Sequence, residues 1–577
     1  MTDPEPQIDA IIGRMDLKDK IGQCLVCNFV GTQIFDYHRR FIRDLRCGGL
    51  RVTPHISNLE GEPRIRKQAP YATPNQYAAV LRELQEMAME RSSGIPLQMV
   101  TDQEGDLSVD ILRGGFSLFP SQAGMAATGT PSLVRKAYRV VGKQLRAVGI
   151  TWVHSPVLDV NLNPRNPEIG MRSFSDDPKI VAKYGAAAMK GFMSAGVVPT
   201  GKHFPGRGDS EVDAHDTLDT LRADRKRMNR VELYPYQRLI RQGLPAIMSA
   251  HNAYPCLHAE GIPASVSRRI IGDVLRGELG FEGVITTDAI GMAGLISYAG
   301  SKWDAVVMAL EAGNDIALVK EDEETTTKCF HAIERAVRDG RLSEARLEES
   351  VRRILHVKAQ MNILDDPLPD PKKADRLVRN ARNVEVCKRV HRAAAITVRD
   401  RNALLPLDPA EEVLVVEQYI PLYHVKGNDL YTHPGMFGEA VASHADRVLY
   451  LEMNTPPDET DLQRFRDRLG RVQTVVFFNT FWRGSGSNRA LIREAVKAGK
   501  KVVVATNDAY DPYFLPTVGT VVCSFSSMAE GMRTAAAILY GKAEGGGTWP
   551  LSGVGINETV AADEEIDHFT AGYFAHR

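Results

Sequence analysis

A chain of 577 residues is longer than one average domain, and its 71 Lys+Arg against 72 Asp+Glu leave a formal net charge of −1. That balance argues against a large electrostatic footprint for nucleic acid or an anionic membrane and favours a small or neutral ligand. The amino-terminal stretch carries acids where a secretory signal carries bases, and no apolar run approaches the ~20 residues that cross a bilayer. With seven scattered cysteines, the expectation is a cytoplasmic protein with reduced thiols, a monomer or homodimer.

Eight short apolar runs, at 22–30, 48–54, 96–102, 149–160, 196–204, 245–251, 283–289 and 312–320, alternate with segments of helical period such as 131–147, 178–194, 224–241 and 267–279. This α/β alternation predicts a (β/α)8 TIM-like barrel over residues 1–363, with an open doubly wound sheet as the alternative. Residues 364–389 begin with the Pro/Asp/Lys-rich LDDPLPDPKKAD and predict a linker. From 390 to 577, after a helical segment to about residue 396, runs at 413–419, 447–453, 474–480, 501–507 and 520–525 predict a smaller three-layer αβα sandwich. Its RGSGS at 483–487 has neither a G-x-G-x-x-G spacing nor a following phosphate-loop lysine, so no nucleotide is expected there.

A barrel places its chemistry where the strands end at the carboxyl face. The runs end in Asp102, Asp159, Lys202-His203, His251 and Asp288. After the fifth run comes a loop dense in charge, Lys202 to His215, in which Asp213 and His215 are separated by one small residue. That spacing lets a carboxylate hold one imidazole nitrogen while the other faces a substrate, the geometry of a proton shuttle. The bland alternative is a pair of loop residues bonding local backbone. Asp288, ending an apolar run beside threonine hydroxyls and Lys202, is a candidate ionised nucleophile or, more plainly, a helix cap. Together they describe a retaining glycosidase, in which a carboxylate attacks the anomeric carbon and a proton donor assists the departing oxygen. Asp102, Arg172, Lys202 and His203 offer charge-assisted hydrogen bonds to sugar hydroxyls. Trp152 and Phe204 could stack on a sugar ring, although core packing is the commoner employment.

These residues fall in motifs that resemble family 3 glycoside hydrolases, in the β-N-acetylglucosaminidase branch. The motifs are Lys202-His203-Phe204-Pro205-Gly206 with Asp213-Ala214-His215, Asp102-Gln103-Glu104-Gly105, Asp159-Val160-Asn161 with Asn163-Pro164-Arg165, Arg172-Ser173-Phe174, and Thr287-Asp288-Ala289. The resemblance covers the barrel and extends to Asn402–Leu407 at the entry of the second domain. It implies Asp288 as nucleophile, His215 as acid/base with Asp213 as its partner, and Asp102, Arg172, Lys202 and His203 as contacts to the cleaved sugar. It also implies no metal and no organic cofactor, and a small carbohydrate substrate, usually terminal β-linked N-acetylglucosamine from recycled cell-wall fragments, with inorganic phosphate as acceptor in some members. Two departures bear on specificity: Asp106-Leu107-Ser108-Val109-Asp110 replaces a stretch that usually carries a sugar-binding arginine, and Arg207 stands where a histidine is common. The rival readings are another sugar preference such as β-glucoside, a metal-dependent hydrolase using His203, Asp209, Asp213, His215 and His251, and a non-catalytic sugar-binding protein.

Overall fold

Each of the eight apolar runs becomes a strand: β1 (Leu25–Val30), β2 (Gly49–Thr53), β3 (Gln98–Thr101), β4 (Trp152–Val153), β5 (Val198–Phe204), β6 (Ala246–Ser249), β7 (Val284–Ala289) and β8 (Ile316–Leu318). They pair in parallel in chain order and close, β8 bonding β1. The computed structural model describes residues 4–54, 72–212, 217–258, 261–419, 435–454, 457–480 and 488–553.

Inside the barrel, Val26, Val100, Trp152, Val198, Met248, Val284 and Ile316 pack together, with Ile354 and Val357 of helix Glu344–Gln360 in the same cluster. Trp152 donates its indole N–H to Thr200 Oγ1 at 2.8 Å within this core. Phe204 is also buried, edge-on to Tyr236 with ring centroids 5.1 Å apart. Core packing, not stacking on a sugar, therefore accounts for both aromatics. Outer helices bury apolar residues at helical spacing: α1 (Pro131–Ala147) turns Leu133, Val134, Ala137, Val140, Val141 and Leu145 inward, and α2 (Pro178–Met193) packs beside it. A short α3 (Tyr234–Ile240) flanks α2 on the other side.

The stretch 364–389 is more ordered than its composition suggests. It contains the short helix Ala374–Val378 and the start of α4 (Ala381–Ala394), and it is tied to the barrel where Gln144 Nε2 donates to Val378 O at 2.8 Å.

Beyond it lies a six-stranded sheet of β9 (Ile396–Asp400), β10 (Val413–Tyr419), β11 (Val448–Asn454), β12 (Thr474–Asn479), β13 (Lys501–Thr506) and β14 (Thr520–Cys523), ordered β9-β14-β13-β12-β10-β11. All pairs are parallel except β9 with β14. Leu414, Val416, Val475, Phe477 and Val504 fill one face and Val413, Val415, Val476, Phe478 and Val503 the other, so alternate residues feed two cores and the sheet is covered on both sides. β9 was not foreseen as a strand, because ITVRD follows directly on a helix and ends in charges.

The sandwich is docked on the carboxyl face of the barrel. Tyr510 Oη accepts from Asn161 Nδ2 at 2.7 Å, and Asp176 accepts from the backbone N–H groups of Ser552 and Gly553 at 2.7 and 2.6 Å. No helix among the described residues is long and apolar enough to cross a membrane, and all seven cysteines are unpaired.

Candidate active site

Predicted polar residues gather at the carboxyl ends of β3, β5 and β7, and ion pairs join them with others, Arg51 of β2 among them, into a chain of alternating sign. Arg51 on β2 pairs with Asp102 at the end of β3. Lys202 on β5 lies 3.0 Å from Asp102 Oδ1 and 2.6 Å from Glu104 Oε1. Glu104 accepts two bonds from Arg172, Nε at 2.8 Å and a terminal nitrogen at 2.9 Å. Arg172 is 3.6 Å from Glu168 Oε1, which lies 2.7 Å from Arg207, and Arg207 is 3.4 Å from Asp288 Oδ2.

Burial opposes the charge on Asp102, yet Arg51 and Lys202 outweigh it and hold the carboxyl well below the usual carboxylate range. Glu104 is lowered in the same way by Arg172 and Lys202 against the cost of burial. His154, 3.6 Å from Asp102, is pushed down to about 3 by burial and stays a neutral imidazole.

His203 is held from behind. Its Nδ1 donates to Asp159 Oδ2 at 2.7 Å, and the backbone N–H of Arg207 donates to Asp159 Oδ1 at 2.8 Å. Burial pushes the Asp159 carboxyl up to about 6 in spite of Arg207 and these bonds. The other ring nitrogen of His203 lies 4.0 Å from Asp288 Oδ2. Asp288 itself ends β7, and its Oδ1 accepts the Ala289 N–H at 2.8 Å. The loop carrying Arg207 lies flat on the β4 side because Gly208 has no side chain: a Cβ there would stand 1.8 Å from Val160 O.

Asp102, Arg172, Lys202, His203 and Asp288 are thus brought together, and Asp213 and His215 lie outside the described residues, as does the loop at 483–487. The cation beside Asp288 is Arg207, whereas the sequence pointed to Lys202, which Asp102 and Glu104 engage. Arg51, Glu104, Asp159, Glu168 and Arg207 were not among the predicted site residues. Glu104 and Asp159 lay in quoted motifs and Arg207 was noted only as a departure, but Arg51 gave no signal beyond a charge inside an apolar run.

Asp106 faces the second domain: its carboxylate accepts from Asn507 Nδ2 at 2.9 Å and from Ser527 N–H and hydroxyl at 2.7 and 3.0 Å. Asp110 pairs with Arg51 at 2.7 Å. The acids that replace the usual arginine therefore serve domain docking and the orientation of Arg51. A narrow cleft of about 30 Å3 opens where Glu104, Glu168 and Arg172 meet Asp106 and the sandwich residue Asn507.

No group of three or more His, Cys, Asp or Glu side chains among the described residues could hold a metal ion. His251 is engaged by Ser265 Oγ at 2.7 Å and Ala289 O at 3.1 Å.

The family model described as Glycosyl hydrolase family 3 N terminal domain matches residues 16–357. The chain belongs to glycosyl hydrolase family 3. Among its relatives in family 3, the beta-hexosaminidase A of Pseudoalteromonas piscicida is 34% identical over 306 residues, covering 50% of this chain and 51% of that protein, so the chain spans about half the length of that relative. The beta-N-acetylglucosaminidase/beta-glucosidase of Cellulomonas fimi is 25% identical over 571 residues, 94% of each chain. Among solved structures, a family 3 beta-N-acetylglucosaminidase from Paenibacillus sp. str. FPU-7 superposes with a TM-score of 0.82 at 29% identity, covering 95% of this chain and 100% of that one. The barrel-plus-sandwich architecture is that of the family.

Proposed function

We propose that this chain is a retaining, exo-acting β-glycosidase that releases a terminal sugar, β-N-acetylglucosamine first among the candidates. Asp288 attacks the anomeric carbon while His215, oriented by Asp213, gives its proton to the departing oxygen. In the second half, water loses a proton to His215 and displaces Asp288 from the sugar, with phosphate as an alternative acceptor. Asp102, Arg172, Lys202 and His203 grip the sugar.

One observation carries this reading. Of the eight members of the alternating ion chain, Asp102 and Asp288 have side chains 28% and 15% exposed, while the other six are 8% exposed or less. Two carboxylates reach solvent from an otherwise covered network, a suitable pair for one to bind hydroxyls and one to attack. The relatives, a beta-hexosaminidase, a beta-N-acetylglucosaminidase and a beta-N-acetylglucosaminidase/beta-glucosidase, support the sugar.

The test is covalent trapping with two mechanism-based fluorosugars, a 5-fluoro N-acetylglucosaminyl fluoride and a 2-fluoroglucosyl fluoride, followed by peptide mapping. The expected adduct is on Asp288, and which sugar traps faster ranks the specificity. Sugar binding with no adduct from either reagent would make this a binding protein, and chelator-sensitive turnover with stoichiometric metal would make it a metal-dependent hydrolase.

A further inference from the structure

The near-zero net charge conceals a strongly one-sided surface. Helices α1 and α2 together contain eight cations, Arg135, Lys136, Arg139, Lys143, Arg146, Lys179, Lys183 and Lys190, and no Asp or Glu. Among the described residues, only Arg146 of these eight is within ion-pair distance of a carboxylate. Exposed cations elsewhere on the barrel are commonly paired, as Arg39 is with Glu83 and Arg40 with Glu323.

The geometry concentrates this charge. α2 lies between α1 and α3, and its outer face is made low by Ala182, Ala186 and Ala187, so a groove of about 450 Å3 runs over it. Arg135, Lys179, Lys183, Lys190 and Arg238 line the groove and no carboxylate does. Lys179 to Lys190 is eleven residues of helix, ~16 Å at ~1.5 Å per residue, so the cations form a stripe along an axis.

We propose that this groove binds one extended, base-free phosphate polymer. A groove running along a helix axis fits a slender chain. The two tyrosine rings nearby are capped by cations, Tyr184 by Lys183 at 5.3 Å and Tyr234 by Arg238 at 6.0 Å, so neither serves as a stacking platform for nucleic-acid bases. Uncharged polar groups on the lining are few, Ser132, Tyr234 and Gln242, the last already accepting from Lys190 Nζ at 2.8 Å, which leaves negative charge as the main feature the groove can recognise. Phosphates supply that at high density, and the arginine forks on both walls suit them.

The test uses the full-length protein and long-chain inorganic polyphosphate, with binding measured between about 50 and 200 mM salt. Wild type should bind with an affinity that falls steeply as salt rises. R135Q/K183Q/K190Q should bind at least tenfold more weakly, with a log–log salt slope shallower by about 2, near 0.7 for each cation removed. Its melting temperature and nitrophenyl-glycoside turnover should match wild type, and R39Q/R40Q should bind polyphosphate normally. Equal binding by the triple variant, no binding by wild type at the lowest salt, or equal or tighter binding of oligo-dT or poly-glutamate would each overturn the proposal.

Discussion

One buried guanidinium is shared by two carboxylates: a terminal nitrogen of Arg207 lies 2.7 Å from Glu168 Oε1 and 3.4 Å from Asp288 Oδ2. Among the described residues its Nε and other terminal nitrogen have no hydrogen-bond partner, so within them its orientation depends on those two acids and on the loop beneath it. Arg207→Gln is expected to lower kcat/KM by about a hundredfold, since removing one partner of a buried charge pair costs several kcal/mol. It should also move the acidic limb of the pH profile upward, because a nearby cation favours the ionised carboxylate. Arg207→Lys should restore part of the rate and most of the profile. An unchanged limb in the glutamine variant would mean that the arginine only packs.

His215→Ala should slow cleavage of glycosides with poor leaving groups by on the order of 10²–10⁴-fold and leave activated nitrophenyl glycosides far less affected. The check is the slope of log kcat/KM against leaving-group pKa, which steepens when the proton donor is lost. Equal slowing across the series would remove His215 from that role.

Asp106→Ala cuts three bonds to Asn507 and Ser527. The buried donors left behind cost about 1–3 kcal/mol each unless water reaches them. The expected result is a lowered melting temperature and faster proteolysis between barrel and sandwich, with KM for small nitrophenyl glycosides little changed. A large rise in KM with the melting temperature intact would instead place Asp106 against the sugar.

Glu417, buried at the end of β10, accepts the N–H groups of Phe437 and Gly438, and burial pushes its carboxyl up from 4.5 to about 8. The folded value stands above that of the unfolded chain, so the fold prefers the protonated form. Its stabilising contribution is full below about 4.5 and is lost as pH rises through about 8. The sandwich of wild type should therefore melt at progressively lower temperature from about pH 4.5 to about pH 8, and Glu417→Gln should flatten that decline. Parallel melting curves for the two proteins would refute the assignment.

The barrel was legible because each strand is an apolar run broken by polar loops, and all eight runs carry a strand. Asp102, Lys202, His203 and Asp288 were legible because a parallel strand entering a barrel must end at one face. Arg51 and Glu168 were not, because their meaning is a partner far off in sequence: Arg51 matters through Asp102 and Asp110, Glu168 through Arg172 and Arg207. The docking role of Asp106 was not legible for the same reason, since its partners arrive some 400 residues later, from the second domain.

The strict alternation from Arg51 through Asp102, Lys202, Glu104, Arg172, Glu168 and Arg207 to Asp288 puts a parity rule on how this cleft can evolve. Replacing an interior link removes a partner from each neighbouring charge in a covered place, so drift toward a new substrate should favour paired, mutually compensating exchanges. Sister sequences ought to record those exchanges as covarying couples along this one path.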